Sequence, residues 1–513
     1  MNSIDPCGGC AAPRCTGCPG SALSRRNFLA NVGTAAIALP ALRASVAAQA
    51  KDPVRQTPIR TPLKVQPVLL YDIPKRRQAT SWRPWGGVQT EQEAAAEKEK
   101  IRRELAEMSA PAGFPLEILS VESVQNPDQA AAIAKGVQDV TLVYAASGGV
   151  KALEVLTPPG KWNLVFVRHR SGPVYLWYEI AHPRFLRKTV DEYGQPGMGV
   201  EDVVVDSHAE VLYRLRGLYG LKNILGKRIV AVGGPGGWGA GGRKAPERAR
   251  EVWKLDIQTV SYPDLGERIQ RARQNDALVK RCHSAAEQYL KQKGVALETP
   301  KQFVLNAFVL TEVFRDLLDE AHTDAITINQ CMGTIMPISE TSACLPLNLL
   351  NDDGYMAFCE SDFVVIPSGI LLHYISGKPV FLNDPTYPHD GLVTQAHCTA
   401  PRRMDGQHLE PVRILTHFES DYGAAPKVEM KKGQRVTNLV PDFAVHKWVG
   451  FEGEIVDNPF LAICRSQIDV QIKGDTNKLL EEMKGFHWMT CYGDYLRETG
   501  YALKKVGVDW LKV

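Results

Sequence analysis

The sequence predicts an α/β chain: two successive parallel α/β domains and then a β-rich C-terminal domain. Three observations predict it. Apolar strand-like runs alternate with helical stretches over 63–185, and the alternation restarts with "KRIVAVGG" at 227–234. From about Lys378 the chain turns to short β-prone pieces such as "VRILTHF" and "FLAICRSQIDVQI", punctuated by Gly, Pro and Asp. A chain of 513 residues, 44% hydrophobic and 23% charged, can bury more than one core.

In the first domain, 63–185, the run 63–71 reads as the opening strand. "EQEAAAEKEKIRRELAEM" at 91–108 is a helix by propensity and charge pairing, and strand candidates follow at 116–121, 139–145 and 162–167. In the second, 186–377, "KRIVAVGG" leads to helical stretches at 245–255, 265–293 and 302–320 around the strand "DIQTVSY" at 256–262. Strands are also expected at "DAITINQC" (324–331), "YMAFCESD" (355–362) and "PVFLND" (379–384), the last reaching into the third domain, 378–513, which closes with a helix near 495–505.

Residues 1–50 are a separate matter. Ser24-Arg25-Arg26-Asn27-Phe28-Leu29 opens a mildly apolar stretch, 28–42, and a small-residue run follows at 44–50, the order of a twin-arginine export signal with a cleavage site. The expected route is the twin-arginine translocation machinery, to the periplasm or beyond the cell. Residues 51–62 form a Pro- and Arg-rich linker.

Arg14, Arg25, Arg26 and Arg43 against Asp5 give the leader +3, the net charge of the whole chain, so the rest carries 56 basic and 56 acidic residues. No basic excess remains to favour nucleic acid. Cys7, Cys10, Cys15 and Cys18 have the C-x2-C-x4-C-x2-C spacing of a metal site, but they lie in the segment expected to be removed. The other seven, Cys282, Cys331, Cys344, Cys359, Cys398, Cys464 and Cys491, are odd in number and widely spaced, which points to buried free thiols rather than a disulfide framework.

Two patterns bear on chemistry. Gly234-Pro-Gly236-Gly-Trp-Gly239 fits the dinucleotide fingerprint G-x-G-x-x-G after a strand, with Asp264 roughly where a ribose-binding acid would stand. Pro235 and the surplus glycines lengthen the turn, so a flexible loop is the favoured reading.

The second pattern is a pair of carboxylates at strand ends. Glu360 and Asp384 flank a segment, 366–377, long enough to cross back as a helix, which would bring both to one edge of a parallel sheet; Asp362, two residues on, would share Glu360's face. Carboxylates held together repel unless a cation sits between them, and oxygen donors suit a hard divalent ion such as Mn2+ or Mg2+. His397 and His487 are candidates to complete the site. "ESD" recurs at Glu419-Ser420-Asp421 before a turn, where a solvated hairpin end is the expectation.

From about 324 to 494 the chain resembles the L-fucose isomerase and L-arabinose isomerase group of metal-dependent sugar isomerases. The resemblance rests on "NQC" at 329–331, "ACLPLNLLNDDGYMAFCESD" at 343–362, "SGKPVFLNDP" at 376–385, "AHC" at 396–398, "HWMTCYGDY" at 487–495, and the spacing of 24 between Glu360 and Asp384. It implies two Rossmann-like domains before the β-rich one, and a trimer or hexamer with the active site between subunits. By resemblance, Glu360 and Asp384 are catalytic carboxylates that also bind the metal, His487 is the third ligand and His397 a substrate-side group. The implied activity is aldose–ketose isomerisation of a small sugar with Mn2+ or another divalent ion. Two other readings stand beside it: an exported NAD(P)-dependent oxidoreductase using the glycine loop, and a non-catalytic sugar-binding protein.

Overall fold

The run Val140–Ala145 is buried along its whole length, as a central strand of a sheet covered on both faces requires. In the computed structural model, which describes residues 60–187 and 194–513, it lies between Leu63–Leu70 and Trp162–Val167 in a six-stranded parallel sheet. Leu116–Ile118 and Glu122–Val124 both pair with Leu63–Leu70 at one edge, so the strand expected at 116–121 is two short ones. Val203–Val205 closes the other edge. The twin-arginine segment, its cysteine cluster and most of the linker lie outside the described residues.

Helix Glu91–Ser109 packs on this sheet through Ala94, Glu97, Ile101, Leu105 and Met108, one stripe at helical spacing. Thr90 starts it by accepting the Glu93 amide hydrogen at 3.2 Å, with Glu91 and Glu93 complementing the dipole. Beneath it the fully buried Arg168 guanidinium is neutralised by Glu97 at 2.6 Å and Glu104 at 2.6 Å.

The second sheet has four parallel strands in the order Met356–Phe358, Ala325–Ile328, Arg228–Val232, Asp256–Val260. The helical stretch expected over 265–293 is two helices, Tyr262–Gln274 and Asp276–Leu290. Asn275 ends the first and caps the second, accepting the Leu278 amide hydrogen at 3.1 Å.

The third sheet is antiparallel. Arg435–Pro441, Trp488–Tyr492, Phe381–Pro385, Leu392–His397, Ser466–Lys473 and Lys447–Asp457 follow one another, and the last pairs back with the first to close a barrel; Asp509–Lys512 adds alongside in parallel. A separate three-stranded sheet of Tyr422–Val428, Val412–His417 and Val295–Leu297 packs into the same core as the barrel. The protein is thus mixed α/β, with two parallel sheets and a C-terminal antiparallel barrel.

Two expectations about the second sheet are corrected. Phe381–Pro385 does not extend it: after helix Ile366–Ser376 and the left-handed Gly377 the strand enters the barrel, between Trp488–Tyr492 and Leu392–His397. Phe381 faces the barrel core and Leu382 the α/β core, so the alternation that looked like a parallel strand instead serves two cores. The strand expected to run on through Asp362 stops at Phe358, because Glu360 and Ser361 both take left-handed conformations, φ 65° and 49°. Among the described residues no helix is long and apolar enough to cross a membrane.

Candidate metal centre

Barrel register assembles three of the four expected side chains. Phe381–Pro385 pairs Asn383 with Trp488 on one side and Asp384 with Ala396 on the other. Continuing the antiparallel pairing by one residue brings Asp384 opposite His487, with His397 just past Ala396. Three adjacent strand ends thus present Asp384, His397 and His487 together.

Glu360 arrives from the second sheet, carried by the left-handed turn. That turn is over-determined, as a position costing about 1–3 kcal/mol per strained residue must be. Ser361 donates its amide hydrogen to Thr327 Oγ1 at 3.1 Å, and the glycine loop docks on both sides: Gly236 N–H donates to Ser361 O at 3.1 Å, Phe363 N–H to Gly236 O at 3.1 Å.

His487 is the hub. Its Nε2 stands 3.1 Å from Asp384 Oδ1 and 3.2 Å from Glu360 Oε2, while its Nδ1 lies 2.7 Å from Asp362 Oδ2. His397 Nε2 is 3.6 Å from Glu360 Oε1, and its Nδ1 meets Thr399 Oγ1 at 3.1 Å. One donor atom each from Glu360, His397 and His487 falls within 4.8 Å of the others. Asp384 touches the hub but is not one of that trio, whereas His397, which the resemblance puts on the substrate side, is.

Despite these separations, His397 Nε2, His487 Nε2 and Asp384 Oδ1 are buried with no hydrogen-bond partner among the described residues. Buried polar atoms are ordinarily satisfied, and the two orphan imidazole nitrogens, both facing Glu360, are what a cation would complete. One carboxylate oxygen with two imidazole nitrogens, and a second carboxylate beside them, suit a divalent ion of intermediate hardness. The residues therefore fit a metal ion, and the donor set admits several.

The electrostatics agree. Burial alone would raise the Glu360 pKa, but His397 and His487 outweigh it and hold the carboxyl well below the usual range. Burial alone would lower His397, yet Glu360 and Asp384 push it up to about 8. His487 is raised well above its ordinary value, burial being overcome by Asp362, Asp384 and Glu360. A cluster that grips protons this firmly has the charge to hold a cation in their place.

Above the centre opens a cavity of about 600 Å³. The half-exposed Trp238 ring, stacked on Phe486 at 4.1 Å, forms one wall. His417 and Glu419 line it elsewhere: the second "ESD" does sit at a hairpin end, and its glutamate reaches this cavity. Cys331, Cys344, Cys359, Cys398 and Cys464, all free thiols, line it too.

Compared with protein-family models and with curated proteins, the sequence matches none. The site therefore has to be read from its own geometry. In the glycine loop, a Cβ at Gly233 would collide with the Tyr262 ring and one at Gly237 with the Gly242 backbone. Asp264 is engaged by Arg268 at 3.0 Å. Packing accounts for Gly233 and Gly237, and Gly236 docks on the Glu360 turn.

Asp362, expected to share Glu360's face as a further carboxylate, is turned by the left-handed Glu360 and Ser361 onto His487 Nδ1 instead, and sequence reasoning missed Trp238 and Phe486. The available signal was adjacency, since Phe486 precedes a candidate ligand and Trp238 sits in a loop with too many glycines for a dinucleotide turn.

Proposed function

We propose that the protein is a divalent-metal-dependent aldose–ketose isomerase acting on a small sugar or sugar derivative. One observation carries this reading: Glu360, His397 and His487 bring three donor atoms within 4.8 Å, with the Asp384 carboxylate 3.1 Å from His487. A centre holding a cation beside a second carboxylate, at the foot of a cavity, suits the transfer of a proton between neighbouring carbons.

When bound, a divalent ion, with Mn2+ the proposed one, would polarise the O1 and O2 oxygens of an open-chain sugar and ease proton loss from the adjacent carbon. The chain's own residues do the rest. Glu360, His397 and His487 fix the donor geometry. Asp384, outside that trio, is the carboxylate free to take the proton from C2 of the aldose and return it to C1 through an enediol, while the O2 hydroxyl proton passes to O1. Trp238 and Phe486 cover the sugar's apolar face and exclude water. Export by the twin-arginine route and assembly into a trimer or hexamer belong to the same proposal and rest on the leader pattern and the resemblance.

The test is incubation of Mn2+-loaded protein with a panel of aldoses in D2O, followed by NMR. Ketose formation with deuterium gained from solvent is expected. A loaded protein that yields neither ketose nor exchange across the panel overturns the reading.

A further inference from the structure

Asp362 is 1% exposed and uses both carboxylate oxygens. Its Oδ2 lies 2.7 Å from His487 Nδ1, while its Oδ1 accepts the amide hydrogens of Trp238 at 3.1 Å and Val364 at 3.1 Å. A second path joins the same residues, because Trp238 stacks on Phe486 and the Phe486 ring sits edge-on to His487 at 4.8 Å. Trp238, Asp362, His487 and Phe486 thus form a closed ring of contacts joining the cavity wall to a candidate metal ligand.

We propose that Asp362 is a positioning residue with two tasks: it fixes His487 with Nδ1 protonated and the Nε2 lone pair turned to the cation, and it seats Trp238, so that metal loading and wall placement are coupled. The inference deepens the metal-centre reading and rests on it. The carboxylate can only accept, so the shared proton must sit on Nδ1, which leaves the Nε2 lone pair on the side of Glu360 and Asp384, free for a cation. Partners of this kind orient ligating histidines, and their loss typically weakens metal binding about 10- to 100-fold.

Asp362→Asn separates the two tasks. The amide oxygen still accepts from Trp238 and Val364, which preserves the turn, but the amide nitrogen must donate to His487 Nδ1. The imidazole proton is then forced to Nε2, where it blocks the lone pair.

Mn2+ affinity of full-length wild type and Asp362→Asn, by calorimetry, should differ by about 10- to 100-fold with similar melting profiles. Affinity within about twofold of wild type overturns the assignment. A second measurement does not depend on how the variant folds: in 5-fluorotryptophan-labelled wild type, the 19F resonance that disappears in Trp238→Phe should shift on adding diamagnetic Zn2+. An unmoved resonance overturns the coupling. Wild type that binds neither ion overturns the metal centre and this assignment together, whereas metal binding without sugar turnover sinks only the isomerase reading.

Discussion

Asp384 Oδ1 and His487 Nε2 stand 3.1 Å apart because the strands that carry them are hydrogen-bonded neighbours in the barrel, in a register that puts the two residues opposite each other. Neither atom has a hydrogen-bond partner among the described residues. The pairing is built into the backbone, so substituting one side chain should change the chemistry without dismantling the scaffold.

Glu360→Gln is therefore expected to weaken Mn2+ binding by at least about 10-fold, and Asp384→Asn to lower turnover about 100- to 10,000-fold with less effect on metal affinity. Calorimetry with Mn2+ and the deuterium assay on both variants check this. Equal loss of metal in both would put Asp384 among the ligands and remove its separate role in proton transfer.

Metal affinity should rise with pH. His397 holds its proton up to about 8 in the metal-free protein and His487 is raised too, and a cation must displace both protons, so apparent Mn2+ affinity should climb through neutral pH and go on rising past 8. The metal-free fold behaves oppositely. A histidine raised from 6.5 to about 8 on folding stabilises the protein fully below 6.5, and that contribution, at most about 2 kcal/mol, fades as pH rises through 8. Melting curves without metal from pH 6 to 9 should fall over this window, and Mn2+ should offset the fall.

How much of this the sequence shows depends on the distance over which each feature is decided. Buried runs such as Val140–Ala145 declare themselves locally, and so do the helix caps. The convergence of Glu360 and Asp384 was legible from the segment between them, but the parallel crossover that seemed to explain it was not the cause. Asp384 belongs to the barrel, because its strand's partners, Trp488–Tyr492 and Leu392–His397, are chosen by pairing that no local pattern records. The turn at Glu360 stayed hidden for a related reason: it is stabilised by Thr327 and Gly236, both remote in sequence.

The glycine loop makes a prediction about a single methyl group. A Cβ at Gly237 would run into the Gly242 backbone, so Gly237→Ala must displace the loop segment that carries Trp238. A cost of about 1–3 kcal/mol is expected, with a raised KM for sugar and Mn2+ affinity reduced only in so far as Asp362 loses the Trp238 amide. Chemical denaturation and steady-state kinetics on the variant test both parts; an unchanged KM would remove the wall from substrate binding.

Thr327 tests whether the strained turn is what aims Glu360. Its hydroxyl is buried and accepts the Ser361 amide hydrogen at 3.1 Å, directly beneath two consecutive left-handed residues. Thr327→Val keeps the shape of the side chain and removes only the acceptor, leaving a buried N–H unsatisfied at a cost of about 1–3 kcal/mol. The turn can then relax toward ordinary backbone angles, which would swing Glu360 away from His397 and His487. Mn2+ affinity should fall although no proposed ligand has been touched. A variant that loses the stability but keeps the affinity would show that the Gly236 contacts alone hold Glu360 in place.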